Sequence, residues 1–471
     1  MKKDILLVLS TILLSSCSVQ IEDSQKISEE KSIISENKSD EVISSEVVSS
    51  EEIVDLDLLD KWPETDCYAF SYKKLGKDVM PIGAWCAPIG EYITDEQYGY
   101  IKEAGLNSIY GLYETVDVNL TLVKKSLQCA ANNGLIYLVR DNSLYAKSDD
   151  IDEFCNHMEQ FVAYDSYGGT LIVDEPSAKS FANLGVTMKL FRQYYTSYAH
   201  YVNLFPNYAR AAQLEGMGDD STMDYETYVK NYLDIVKPQF LSYDYYPVSG
   251  DENTLSSTYF DQIYFISNIA NQYKIPFWTF IQTCNFGGRS RVPKESEIYW
   301  QVNTSLAYGA KGIQYFCYFM PTEFSNEGFE GCLIDKDGKK THLYPYVSAI
   351  NNQIANMDEV LMHSTLVGQM ANGQSPAAPI NQDDLVDSIR EIKKVTTDDN
   401  VIISCFDYNG KSVYYIVNNS IIENATLQID FTSLVKANVV NIEGKSNFEG
   451  KSTIINLSPG QGVMYELTNY K

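Results

Sequence analysis

Gly169-Thr170-Leu171-Ile172-Val173-Asp174-Glu175-Pro176 is apolar on both faces of an extended chain, then breaks into two acids and a proline. A strand apolar on both faces fits a parallel sheet covered by helices on each side. Helix-period runs flank it, Ile151–Ala163 before and Phe181–Tyr194 after. The same beat extends in both directions. Further strands are predicted at Val79–Ala87, Ser108–Tyr113, Leu135–Arg140, Tyr201–Phe205, Phe240–Tyr245, Pro276–Gln282 and Gly312–Phe319. Helices follow them at Asp95–Ala104, Leu120–Ala131, Tyr225–Val236, Tyr259–Tyr273, Glu295–Ala307 and Tyr344–Met362. Gly105, Gly134 and Gly309 stand where helices should stop. Eight units in about 285 residues predict an α/β fold, a (β/α)8 barrel. An open doubly wound sheet is the alternative, but it usually has fewer units, and no GxGxxG or Walker loop occurs.

After about residue 385 the beat changes to short strands, from Asp387–Thr397 to Gly462–Leu467, with Asn409-Gly410 marking a hairpin tip. The expected domains are a barrel over 61–370 and a small antiparallel β-sandwich over 385–471. The sandwich reads either as a packing partner for the barrel or as a carbohydrate-binding module.

The chain has 471 residues, 44% of them apolar, enough for a large core. Its 36 basic and 63 acidic residues leave a net charge of −27, which repels a phosphate backbone and argues against nucleic acid as a partner. The start is different in kind. Met1-Lys2-Lys3 precedes an apolar run from Ile5 to Leu14, too short to span a bilayer, and then Leu14-Ser15-Ser16-Cys17. Small residues before a cysteine resemble the bacterial lipobox. That likeness implies a signal peptide over 1–17, lipidation of Cys17 and an extracytoplasmic protein held to the membrane by its lipid alone. Residues 18–60 read as a tether: 13 acids and 3 lysines between 21 and 60 leave too little apolar surface to fold. The other eight cysteines are scattered and read as buried thiols with room for one pair, and the four histidines share no metal-ligand spacing. No cofactor or metal is implied.

In a barrel of this kind the chemistry lies at the C-terminal ends of the strands. Those ends present Trp85, Glu114, Arg140-Asp141, Asp174-Glu175, Asn207, Tyr243-Asp244-Tyr245-Tyr246, Gln282 and Tyr318. Arg289 and Arg291 follow in a glycine-rich loop, either as surface ion pairs or as a fork for an anionic sugar. This rim is rich in carboxylates and aromatic rings and has no Ser/His/Asp or Cys/His set. It suits cleavage between sugars, which needs two carboxyls flanking one bond and tolerates aromatic walls.

Asp174-Glu175-Pro176 at the end of the fourth strand resembles the Asn-Glu-Pro of the clan of (β/α)8 glycoside hydrolases that contains the family 42 β-galactosidases. The likeness covers about 79–362 and extends loosely to Leu457-Ser458-Pro459-Gly460. It implies that Glu175 is the general acid, kept protonated by burial, and that Asp174 takes the place of an Asn holding a sugar hydroxyl. The alternative is that the pair caps the next helix or meets Arg140. The clan carries its nucleophilic Glu on strand seven, where this chain has Phe280-Ile281-Gln282-Thr283. Asp244 is therefore the expected second carboxylate, either as nucleophile or as base for a water, with Glu114 and Asp141 in reserve. Tyr243 and Tyr246 are expected to stack a sugar, Trp85 to wall a subsite, and Asn207, Gln282, Arg289 and Tyr318 to contact substrate. Loss of the strand-seven acid also leaves open a glycan-binding protein that kept the barrel without its chemistry.

Overall fold

A computed structural model describes residues 69–288, 290–321, 328–373, 380 and 385–468. The expected signal peptide, Cys17, the tether and Arg289 lie outside these residues. Everything described falls within one compact unit, Lys61–Lys471.

Eight parallel strands form the predicted ring: β1 (Ile82–Trp85), β2 (Ser108–Thr115), β3 (Ile136–Arg140), β4 (Tyr167–Asp174), β5 (Ala199–Leu204), β6 (Leu241–Tyr243), β7 (Phe277–Gln282) and β8 (Gly312–Phe316). From β2 onward each pairs in parallel with the next, and β8 pairs with β1 in the register Trp85↔Phe316. The remaining seam is stitched by backbone bonds from Ala87 N–H to Tyr110 O and from Asn107 N–H to Ile82 O, 2.9 Å each. Helices follow in turn: α1 (Asp95–Glu103), α2 (Val116–Asn132), α3 (Ile151–Val162), α4 (Phe181–Tyr194), α5 (Tyr225–Val236), α6 (Tyr259–Tyr273), α7 (Glu295–Ala307) and α8 (Tyr344–Ala355). Thr94, Asp150 and Asp224 cap three of them by accepting backbone N–H bonds. Gly105, Gly134 and Gly309 take positive φ at the predicted helix ends.

Aromatic rings fill the barrel. Trp85, Tyr110, Tyr201, Phe240, Trp278 and Phe280 share one buried cluster, and Phe240 stacks on Trp278 with centroids 3.9 Å apart. Rings this large fit because glycines face them: a Cβ on Gly312 would stand 2.4 Å from Trp278 Cγ. Gly312→Ala is therefore expected to destabilise the protein by about 1–3 kcal/mol through overpacking, read as a lower urea midpoint at unchanged m.

The C-terminal region is antiparallel, as expected, but begins earlier. Its first strand, β9 (Ser364–Asn372), pairs with β11 (Val401–Tyr408) and lies in the stretch assigned above to the barrel. β10 (Ile392–Thr396), β12 (Lys411–Asn418), β13 (Ala425–Asn441), β14 (Gly444–Leu457) and β15 (Gly462–Leu467) complete the sheet in the order β9-β11-β12-β15-β13-β10, with β14 on β13. β13 and β14 run as one long hairpin with a bulge after Asp430. Alternation explains why β11 and β12 are apolar on both faces. Ile403, Cys405, Tyr414 and Ile416 join the sheet's own core, whereas Ile402, Phe406, Val413 and Tyr415 pack on the barrel. Polar bonds fix that junction: Trp300 Nε1 donates to Asn419 Oδ1, Asn303 Nδ2 to Gly460 O and Tyr415 OH to Asn303 Oδ1, at 2.6–2.9 Å. The sheet thus acts as a packing partner for α7. Among the described residues no helix is long and apolar enough to cross a membrane.

Candidate active site

Strand alternation decides what enters the mouth of the ring. On β5, Ala199 and Tyr201 point inward, so Asn203 does too. On β6, Phe240 and Ser242 point inward, and Asp244 follows just past the strand. β4 needs a correction to that parity. Its pairing with β5 slips between Leu171 and Val173, a bulge that brings Asp174 opposite Asn203. Glu175 comes next with φ +47°, an unusual conformation for a side chain this size, and its N–H donates to Asn203 O at 2.8 Å.

Asn203 is the hub. Its Nδ2 lies 3.2 Å from Asp174 Oδ1 and 3.2 Å from Asp244 Oδ1. Both oxygens are therefore within about 6.4 Å of each other. Ser242 Oγ donates to Asn203 Oδ1 at 3.1 Å, which aims the amide nitrogen at the two acids. Beneath it, Tyr201 OH donates to Gln314 Oε1 at 2.6 Å and Gln314 Nε2 donates to Ser242 Oγ at 3.0 Å. This chain of side chains from β5, β6 and β8 holds the acids in place.

The three carboxyls do not share one environment. Burial raises Asp174, but the Arg140 charge and the Asn203 bond oppose it. Burial and the Asp174 charge lift Asp244 to about 8 despite its bond to Asn203. Burial, Asp244 and Asp174 all push Glu175 well above the usual carboxylate range, and no described donor offsets them. Glu175 is thus the carboxyl whose surroundings favour the proton without opposition, and Asp174 the one whose neighbours oppose it. Tyr208, 46% exposed, meets the ring of Tyr245 edge-on, and its phenol lies near enough to Asp244 and Glu175 for their charges to act on it. It stands beside the acids and open to solvent.

Several expected contacts are corrected. Tyr243 has the opposite parity to Asp244, so it is buried in the layer between barrel and helices. Tyr318 is buried in the same layer. Trp85 points into the barrel but is sealed by Tyr110, Tyr201 and Phe280. Asp141 points outward and accepts from His157 Nε2 at 2.5 Å and Ser143 Oγ at 2.7 Å, whereas its neighbour Arg140, bonded to Asn142 and Leu112 O, lies near enough for its charge to act on Asp174. Gln282 is fully buried, and its amide ties Val248, Cys284 and Arg291, joining the loops after β6 and β7. Glu114 accepts the Gly90 N–H at 3.0 Å, and Asn207 donates its own N–H to Gln262 Oε1 at 3.0 Å, so neither reaches the acids through any described bond. Arg291 is bound by the buried Glu297 and is no anion fork. Tyr246 stays in place, half-buried against Phe280, Phe286 and Phe316, with its phenol raised by burial and then by Asp244. Arg140 was expected only as an ion-pair partner of the acids, and Asn203 and Tyr208 were not expected at all. Alternation from Leu138 and Tyr201 points to the first two, and nothing local in the sequence points to the third.

Fold and site together define a (β/α)8 barrel with paired acids at the C-terminal ends of β4 and β6. Residues 187–357 match the family model of Glyco_hydro_42, β-galactosidase. The β-galactosidase from Bacillus circulans sp. alkalophilus aligns at a TM-score of 0.53 with 7% identity, covering 83% of this chain and 99% of that one. The β-galactosidase of the psychrophilic Marinomonas ef1 aligns at 0.48 with 9% identity over 61% of this chain and 62% of that one. An exo-β-1,4-mannosidase from Opitutaceae bacterium strain TAV5 aligns at 0.43 with 13% identity over 63% of each. This chain thus spans less than two thirds of the length of the last two. No curated protein matches. Over residues 187–357, the second half of the barrel and α8, the chain is similar to that family model, and it shares the fold of the Bacillus circulans enzyme.

Proposed function

We propose that this protein is a glycoside hydrolase that cleaves oligo- or polysaccharides at the cell surface, anchored through a lipid on Cys17. One observation carries the catalytic reading: Asp174, Glu175 and Asp244 converge at the barrel mouth with protonation pushed apart by their surroundings. In this reading Glu175 gives its proton to the leaving glycosidic oxygen. Asp244, ionised, attacks the anomeric carbon or takes a proton from the attacking water. Asp174 accepts a bond from a sugar hydroxyl, Asn203 holds the two aspartates apart, and Tyr208 and Tyr246 offer ring faces to the sugar.

The pH dependence follows. Asp244 must be ionised and Glu175 protonated, so kcat/KM is expected to climb as pH rises through the Asp244 value near 8 and to fall once Glu175 ionises. The short apolar run before Leu14-Ser15-Ser16-Cys17 supports a position outside the cytoplasm, where polysaccharide is met. The test is digestion of a panel of glycans and aryl glycosides, read as new reducing ends. Release from at least one substrate is expected; none across the panel counts against hydrolysis.

A second reading is favoured by one observation. β7 carries no acid, and Gln282, which ends it, is fully engaged in holding loops. A glycan-binding protein without turnover would bind panel members and release nothing.

A further inference from the structure

Four cysteines separated by up to 246 positions in the sequence meet at the barrel mouth. Cys86 follows β1, Cys284 follows β7, Cys317 follows β8, and Cys332 lies in the loop beyond. All four are buried in one small cluster that also touches Phe286, Phe316, Met320 and Phe329. Cys86 and Cys317 come directly after Trp85 and Phe316, which are register partners in the β1–β8 ladder. Their Sγ atoms are 3.4 Å apart. A closing movement of about 1.4 Å would bring them to the ~2.04 Å of a disulfide.

We propose that Cys86 and Cys317 are joined by a disulfide that locks the β1–β8 edge of the barrel mouth. The inference concerns the scaffold and does not rest on the hydrolase reading. The oxidant is another disulfide, of a small thiol or of an oxidoreductase. The Cys317 thiolate attacks one oxidant sulfur and expels the first oxidant thiolate. The Cys86 thiol gives up its proton to that thiolate and attacks Cys317 Sγ, and the second oxidant thiolate leaves and takes a proton from water. Two protein thiols are oxidised, and one oxidant disulfide is reduced to two thiols. Both sulfurs are sealed in the finished barrel, so the exchange takes place on the folding chain and the bond then resists reductant. The link closes a loop of 231 positions, long enough to restrict the unfolded chain strongly. Among the described residues no group of three or more His, Cys, Asp or Glu is placed to hold a metal ion, which favours a covalent link over a thiolate metal site.

The test is a peptide map of the full chain, secreted into an oxidising compartment, purified without reductant, and denatured in an alkylating agent. The Cys86 and Cys317 peptides are expected as one species, two hydrogens lighter than the sum, which reductant splits. Reductant added before denaturation should leave the link intact. Cys86→Ser and Cys317→Ser should each lower Tm by roughly 2–6 °C, and the double variant by no more than either. Recovery of both cysteines as alkylated monomers would overturn the proposal. So would a Cys317–Cys332 link, or one equivalent of metal with all four thiols free. If a serine variant fails to fold, the wild-type map still decides.

Discussion

Glu175→Gln is expected to lower kcat/KM by about 10²–10⁴-fold on substrates with poor leaving groups, while leaving the fold and the substrate KM nearly unchanged. Glutamine keeps the shape and loses the proton. Burial and two neighbouring carboxylates raise the affinity of Glu175 for that proton. The size of the loss should depend on the leaving group. An aryl glycoside that departs without protonation needs little help, so the variant should regain most of its bond-breaking rate on such a substrate. An equal loss on both kinds of substrate would mean that Glu175 positions substrate and does not protonate it. Equal activity of variant and wild type would remove Glu175 from the mechanism.

Asp244→Asn is expected to lower kcat/KM by a similar factor, about 10²–10⁴-fold, and at the same time to stabilise the protein. The sign follows from its ionisation. Asp244 has a folded-state value near 8 against about 3.8 for the ordinary carboxyl. A raised carboxyl value means that the folded state binds the proton more tightly than the unfolded chain. Its favourable contribution is complete below about pH 4 and is lost as pH climbs towards 8. Asparagine removes that penalty. The Tm advantage of the variant should therefore be small at pH 4, grow between pH 4 and 8, and level off above. A residue whose loss disables the enzyme and steadies the fold is being kept for its chemistry. A variant that lost stability at pH 8 would identify Asp244 as a structural acid bonded to Asn203. If activity falls as expected, added azide separates the two roles. Rescue with a glycosyl azide product marks a nucleophile, and no rescue marks a base for water.

Most of the barrel could be read from the sequence because its strands are apolar on both faces and its helices end on glycine. Gly169–Asp174 and Ile313–Phe316 carry that signal plainly. The acids Glu175 and Asp244 were legible as strand-end residues, and the structure brings them together with Asp174. Side-chain direction was legible too. Once Asp244 faces the mouth, Tyr243 must face the helices, and once Leu138 lies inside the barrel, Arg140 rather than Asp141 follows it inward. Asp174 is the opposite case. Simple alternation from Leu171 sends it outward, and only the bulge before Val173 turns it to Asn203, an event of pairing that no local pattern announces. Trp85 and Gln282 sit at the mouth as expected, but large neighbours and loop carbonyls use them up. The four thiols were beyond reach because the ring's closure alone brings Cys86 to Cys317.

The convergence of the acids can be tested without any substrate. Carboxyl 13C titration of the wild type and of Asp174→Asn reads the Asp244 side chain directly. The expected result is an Asp244 midpoint near 8 in the wild type that moves clearly to lower pH once the Asp174 charge is gone. A midpoint near 4 in both proteins would mean that Asp244 stands in open solvent apart from Asp174, and the paired-acid site would not exist.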